Sequence, residues 1–318
     1  MAHQWTAAEL PSQAGRTVVV TGGAGGIGHR VAEVFAARGA RVVIAARNAA
    51  KAEAAVAAIR AEHPGADVEW SALDLASLAS VRQFAAGLAP RLNSIDLLVN
   101  CAGVMAVPVR TLTPDGFEMH FGTNHLGHFA LTGLLLPLIG AAGPARVITV
   151  SAQSARTARL DLDDLQFERG YAPMRAYGRS KIANILFALE LNQHVDPARV
   201  LSIPVHPGTA PTDIQQHSAS RVANAVARVI MRVAGQPLDR VADPVAFAAW
   251  TPEATTESFI APTGLFELGG PPGFVRLPRG AADPSQRRVL WTASERLTGV
   301  VYPPAATAGP AVHIGQPS

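Results

Sequence analysis

The chain has 318 residues, 48% of them hydrophobic and 16% charged, with a net charge of +3 at neutral pH, which describes a folded globular protein and excludes a disordered one. No block of Lys or Arg marks a nucleic-acid surface, and the single cysteine, Cys101, excludes an intrachain disulfide and a Cys-rich zinc site. Residues 1–16 lack the apolar run of a signal peptide, and the most apolar stretch, 129–139, is about half the roughly 20 residues a spanning helix requires, so a soluble, cytoplasmic protein without membrane or nucleic-acid partners is expected.

The β-branched run Thr17-Val18-Val19-Val20 predicts a buried strand, and residues 31–37 predict a helix. Between them lies Thr21-Gly22-Gly23-Ala24-Gly25-Gly26-Ile27-Gly28. Glycine lets the backbone turn tightly and lets a ligand approach without meeting a Cβ, while the free N–H groups of the new helix face an anion. Gly22, Gly25, Gly26, Ile27 and Gly28 are therefore candidate phosphate contacts, although a Gly-rich turn alone can simply join a strand to a helix.

Further elements alternate along the chain. Strands are expected at 41–46, 68–73, 95–99, 146–150 and 200–205, with helices at 49–61, 78–88, 114–139 and 174–193. The run Gly264-Leu265-Phe266-Glu267-Leu268 reads as a last strand. Strands alternating with helices imply βαβ crossovers, hence a single-domain α/β fold: a doubly wound, parallel sheet with helices on both faces. Residues 1–15 read as an N-terminal extension, 211–262 as a segment that covers the substrate, and 303–318 as a poorly ordered tail beyond a domain ending near 302.

Four residue groups fall at strand C-termini, where a doubly wound sheet binds ligands. Arg47 follows the second strand, where a carboxylate would accept hydrogen bonds from a free ribose 2′-hydroxyl; a guanidinium favours a 2′-phosphate, so NADP(H) is preferred over NAD(H). Asp74, with Leu75, is placed to accept a hydrogen bond from an adenine amino group, or alternatively to cap the helix near Ser77. Asn100, Ala102 and Gly103 would let a cofactor lie against the backbone. Pro207 and Gly208 would close over the nicotinamide end, with Thr212 in reach of its carboxamide or the pyrophosphate.

With Thr21–Gly28, Ala46-Arg47-Asn48, Asp74-Leu75, Asn100–Gly103, Thr123–Phe129, Asp164-Leu165-Gln166, Tyr177–Asn184 and His206-Pro207-Gly208 in this order, the chain resembles the short-chain dehydrogenase/reductase family and, more narrowly, its retinol-dehydrogenase-like branch. The resemblance implies a Rossmann-like sheet of about seven parallel strands and hydride transfer to or from a nicotinamide cofactor. Tyr177 and Lys181 lie one helical turn apart, on one face. The Lys181 ammonium is expected to stabilise tyrosinate and lower the pKa of Tyr177, so that the phenol can give or take a proton. By resemblance, Lys181 also binds the nicotinamide ribose and Asn124 holds a water in a proton relay.

One position departs from the family pattern. Val150-Ser151-Ala152-Gln153-Ser154 stands where the family presents two successive serines, and Ala152 takes the place of the second, whose hydroxyl would bond the substrate carbonyl. Ser154 would share a face with residue 152 in extended backbone and is the candidate replacement. The expected function is NADP(H)-dependent oxidation or reduction of a hydrophobic alcohol or carbonyl. The alternative is a redox-impaired member that acts as a cyclase, an isomerase or an NADP(H)-binding module. His120, His125 and His128 on one helix lack a carboxylate placed to complete a ligand set, so no metal is expected. Apolar helices at 123–139 and 177–191 suit two-fold packing into a homodimer, with a monomer as the alternative. The Ala-, Gly-, Pro- and Arg-rich composition points to a GC-rich bacterial source.

Overall fold

Val18 and Val20 enter one hydrophobic cluster and Val19 enters another, because successive strand side chains point to opposite faces. The same alternation divides Leu97 and Val99 from Leu98, and Ile148 and Val150 from Val147. A sheet that buries both faces needs helices on each. In the computed structural model, which describes residues 4–209 and 237–303, those helices come from regular crossovers.

The chain runs β1 (Thr17–Thr21), α1 (Gly26–Ala37), β2 (Arg41–Ala46), α2 (Ala49–Glu62), β3 (Val68–Ala72), α3 (Leu78–Leu88) and β4 (Leu97–Asn100). It continues through α4 (Gly127–Leu135), β5 (Ala145–Val150), α5 (Pro173–His194) and β6 (Val200–Val205). The last elements are α6 (Asp243–Trp250), β7 (Ile260–Pro262), β8 (Pro272–Phe274) and α7 (Pro284–Thr298). The sheet order is β3-β2-β1-β4-β5-β6-β7-β8. All neighbours are parallel except β7 and β8, so an antiparallel edge strand is added to the expected parallel sheet.

The expected helix over 114–139 begins later. Thr113 to Phe117 forms a turn, with Thr113 N–H bonded to the Phe117 carbonyl at 2.7 Å. The Glu118 carboxylate then accepts the N–H groups of His120 and Phe121, a cap that starts the helical path there. Phe121–Leu126 forms a π-helical turn leading directly into α4.

The expected strand over 264–268 is corrected as well. Leu265–Glu267 is a 3₁₀ turn in which Phe266 and Glu267 have φ of 52° and 59°, and Leu265 and Phe266 are 77% and 70% exposed. The true strand lies at β7, hidden in the sequence by Pro262, which pairs with Pro272 of β8.

Two domain boundaries also move. Within the expected covering segment 211–262, residues 211–236, including Thr212, lie outside the described residues. From Val241 onward the chain belongs to the core, because Val245, Ala246, Ala248 and Ala249 of α6 are buried. The N-terminal extension packs on this helix: Ala7 N–H donates to Asp243 Oδ1 at 2.9 Å, and Trp5 meets Phe247 at 5.3 Å between ring centroids. Of the expected tail only Pro303 is described.

Helix α7 lies across α4 and α5, the helices expected to pair about a two-fold. Its Trp291 packs against Phe129, Phe187, His194 and Tyr302, with ring centroids 3.9 to 6.0 Å away. The Tyr302 hydroxyl donates to the Phe129 carbonyl at 2.7 Å. Gly133 makes this close approach possible, since a Cβ there would stand 2.7 Å from Val300 and 2.8 Å from Tyr302. Among the described residues no helix is long and apolar enough to cross a membrane.

Candidate active site

The glycine stretch leaves β1 and enters α1 at the C-terminal edge of the sheet. Gly22 turns with φ of 72° and Gly26 with φ of 53°. A Cβ on Gly28 would lie 2.5 Å from the Gly22 carbonyl oxygen, so the first turn of α1 closes on the loop only because residue 28 has no side chain. At Gly25 a Cβ would meet nothing within 4 Å. The open side of this turn faces the N-terminus of α1, where Ile27 stands in the first turn and helix N–H groups can meet an anion.

Thr21 joins this loop to the next strand. Its Oγ1 accepts the N–H groups of Cys101 at 2.8 Å and Ala102 at 3.0 Å and bonds His128 Nε2 at 2.9 Å. His128 Nδ1 in turn meets the Asn124 carbonyl at 2.9 Å. Ala102 thus lies against Gly22, where a Cβ would be 3.0 Å from the Ala102 Cα. Asn100 turns away from the ligand edge: its side chain is buried and its amide donates to Thr132 Oγ1 at 3.0 Å.

Arg47 is 72% exposed at its side chain, 4.0 Å from the Asp74 carboxylate. Asp74 Oδ1 accepts the Ala76 N–H, while Ser77 caps α3 itself by accepting the Ser80 N–H. Leu75 is buried, with its carbonyl against Gly127, where a Cβ would lie 2.3 Å away. At the exit of β6, Gly208 has φ of 85°, and His206 and Thr209 donate their N–H groups to Ile260 and Leu268. Pro207 stands between them, so this corner is fixed to β7 and the turn that follows it.

The groups expected to react come from α5 and the π-helical turn. Lys181 is buried and Nζ donates to the Val150 carbonyl at 3.2 Å, with Asn184 donating to the same oxygen. Nζ stands 5.7 Å from the Tyr177 ring centroid. The Asn124 amide donates to Ser180 Oγ at 2.8 Å and to the Val104 carbonyl at 3.0 Å, and its Oδ1 accepts the Val104 N–H. A Cβ on Gly103 would lie 2.9 Å from Asn124 Oδ1 and 3.5 Å from Lys181 Nζ. Gly103 therefore lets the Asn124 and Lys181 side chains close on the loop after β4 where a side chain would stand in the way.

Burial dominates the electrostatics. It pushes the Tyr177 phenol well above its ordinary value of 10.0, and a thiolate at neighbouring Cys101 would add to the shift. It draws the Lys181 ammonium down to about 8, against an opposing effect of Cys101. Without cofactor the phenol thus moves in the direction opposite to the expected lowering, and its desolvation is the largest cause.

Ala152 continues the extended path of β5, with φ of −154°, and Gln153–Arg156 then turns as a 3₁₀ helix. The face-sharing that would bring Ser154 beside residue 152 thus ends at this turn. Ser154 Cβ lies against Gly178, 3.8 Å from where a Cβ on that glycine would be, and its Oγ is buried without a partner among the described residues. Ser151 Oγ donates to the Lys181 carbonyl at 2.8 Å, bracing α5.

The three histidines go separate ways: His125 to Ser294, His128 to Thr21, and His120 to Glu118. Sequence reasoning missed Glu118, the carboxylate beside His120, although it stands only two residues away. It also missed the linking roles of the Thr21 and Ser180 hydroxyls, for which a bare sequence carries no signal.

A family model described as short chain dehydrogenase matches residues 16–223. Human retinol dehydrogenase 13 is 37% identical over 305 residues, covering 94% of this chain and 90% of that protein. A crystal structure of an uncharacterized protein from Mycobacterium paratuberculosis is 38% identical with a TM-score of 0.77, covering 95% of this chain and 100% of the other. The Pseudomonas aeruginosa RhlG/NADP active-site complex is 27% identical with a TM-score of 0.63, covering 77% and 94%.

Proposed function

We infer, from the premise that this chain belongs to the short-chain dehydrogenase/reductase family, that it is an NADP(H)-dependent oxidoreductase acting on a hydrophobic carbonyl or its alcohol. The observation that carries this reading is a half-buried Tyr177 on the same helix face as Lys181, whose Nζ lies 5.7 Å from the phenol ring centroid and beside Gly103 of the loop after β4. The nicotinamide, when bound, supplies or accepts the hydride. Tyr177 holds the proton that a carbonyl oxygen needs as it becomes an alcohol, and takes it back in the reverse reaction. Lys181 offsets the negative charge left on the phenol oxygen, and Asn124 and Ser180 hold Tyr177's helix against the loop after β4.

Arg47 supports the NADP(H) preference, as does the NADP named for the Pseudomonas relative. Asp74 shares the guanidinium, so the preference rests on one partly neutralised cation. A hydrophobic substrate is supported by the retinol dehydrogenase relative. Val109, Met174, Leu265 and Phe266 are exposed on segments at the C-terminal edge of the sheet and agree with it.

Ala152 gives the carbonyl oxygen one donor from this region fewer than the family pattern, a loss on the order of 10²–10³ in rate. That same residue favours a second reading, a cofactor-binding member whose redox step is lost or redirected to isomerase- or cyclase-type chemistry. NADPH oxidation against a panel of hydrophobic aldehydes, ketones and quinones separates the two. Turnover by the wild type that falls by about 10²–10⁴ in Tyr177→Phe, with NADPH binding retained, supports the reductase. NADPH binding with turnover only in Ala152→Ser supports the second reading.

A further inference from the structure

Glu118 and His120 are 1% and 0% exposed, and the proton path above uses neither. The Glu118 carboxylate accepts His120 Nδ1–H at 2.7 Å and the backbone N–H groups of His120 at 3.0 Å and Phe121 at 2.8 Å. On the other side of the ring, the Val107 N–H points to His120 Nε2 at 3.3 Å. A backbone amide can only donate, so Nε2 presents its lone pair and Nδ1 carries the hydrogen given to Glu118. Two partners thereby define one tautomer and one ring orientation. The same ring packs edge-on against Tyr177, with centroids 6.2 Å apart and planes at 63°.

The Val107 peptide is gripped from its other end as well. The Tyr171 hydroxyl donates to the Val107 carbonyl at 2.7 Å. Its neighbour Ala106 has φ of 55°, a left-handed conformation that is unfavourable for an alanine, so the loop keeps this shape only while its neighbours hold it. Gln166 completes the connection: its Oε1 accepts the Glu118 N–H at 2.7 Å and its carbonyl accepts Arg110 Nε–H at 3.1 Å. Gln166 belongs to the Asp164-Leu165-Gln166 motif, for which neither cofactor binding nor proton transfer has a use. The loops that follow β4 and β5 are thus sewn together beside the catalytic phenol.

We propose that His120, oriented by Glu118, is a positioning residue that locks the loop after β4 to Tyr177 and so sets the wall against which the substrate carbonyl is placed. The proposal rests on the reductase reading only in naming a carbonyl compound as the ligand affected. The part of this loop that meets the glycine turn is Ala102, not Val107, so NADPH affinity is expected to change little when the lock is released.

The test uses the full chain and three variants. His120→Phe keeps a ring of similar size and removes both nitrogens, His120→Gln keeps an acceptor for Val107 and a donor for Glu118, and Tyr171→Phe releases the same peptide from the other end. Hydrogen exchange in the peptide covering 104–110 is expected to quicken at least tenfold in His120→Phe and Tyr171→Phe, and to return to within threefold of wild type in His120→Gln. The KM for the best carbonyl of the panel is expected to rise at least tenfold in the first two, with NADPH affinity, read by fluorescence titration, changed less than twofold. Unchanged loop exchange overturns the proposal. So does a loosened loop with an unchanged carbonyl KM, an equal loss of NADPH affinity, or a Gln variant that behaves like Phe. Should His120→Phe fail to fold, Tyr171→Phe decides by the same readouts. Absence of carbonyl turnover in the wild type is a failure of the reductase reading alone, and loop exchange with NADPH affinity then decides the lock.

Discussion

The two sides of the active site are built by different means. The side expected to hold the cofactor, from β1 to β4, is shaped by absent side chains: Gly22 and Gly28 let backbone lie on backbone at distances where a Cβ would collide, and Gly103 admits the Asn124 side chain. The opposite side, from the loop after β4 to α7, is shaped by side chains meeting across the fold, such as Asn124 with Val104 and Ser180, His120 with Val107, and Trp291 with Phe129. A surface made by removing atoms has few ways to vary and fits one ligand. A surface made of many separate contacts can change one residue at a time, as at Ala152, while keeping its frame.

The largest effect that would sharpen this contrast is expected at Trp291, which is 4% exposed. Trp291→Ala should cost about 3–5 kcal/mol, read by urea unfolding, and should lower carbonyl turnover more than NADPH affinity. Because α7 covers α4 and α5, light scattering should find the intact chain monomeric; a stable dimer through these helices would contradict the packing described. Next comes Ala152→Ser, expected to raise kcat for carbonyl reduction by up to about 10²-fold with NADPH affinity unchanged. If turnover does not move, a hydroxyl elsewhere already serves the carbonyl, and Ser154→Ala identifies whether it is the one two residues on. On the cofactor side, Arg47→Ala should weaken NADPH binding by about tenfold, a modest figure for so exposed a guanidinium, and leave NADH alone.

The smallest expected effect is on pH dependence. Burial draws Lys181 from its ordinary 10.5 to about 8, so the cofactor-free protein loses this proton before the unfolded chain does. Stability of that form should therefore rise as pH climbs from about 8 to 9, above which the raised thiol of Cys101 opposes the effect, and Lys181→Met should abolish the rise. Carbonyl reduction should fall by less than tenfold per pH unit above about 8 as the ammonium is lost, measured as kcat/KM against pH.

Most of the cofactor side can be read from the sequence because its signals are local. A glycine at residue 28 or an arginine after β2 carries its meaning within one βαβ unit. The tyrosine and lysine of α5 are legible for the same reason, being one helical turn apart. On the other side the determining contacts are distant in the chain, so Asn124 with Ser180 and Glu118 with Gln166 leave no periodic mark. The expected strand at 264–268 failed because a short apolar run is equally compatible with an exposed turn, and β7 was missed because proline removes a ladder donor from the very residues that pair. The pKa of Tyr177 went the other way because a sequence shows which charges are near one another on a helix and not how much water has been removed from them.

The strand order has a consequence for how the molecule comes into being. After β2 and β3 join one flank of β1, every later strand from β4 to β8 joins the opposite flank in the order in which it is made. No strand has to part a pair already formed. A chain leaving the ribosome can extend a growing edge, with the glycine cradle in place before Tyr177 has been added, since N-terminal portions become available to fold first. Helix α7 arrives after the sheet is complete and shuts the aromatic seam over α4 and α5. Damage to that helix therefore strikes the final act of assembly, when the nucleotide cradle already exists and the chemistry it serves does not.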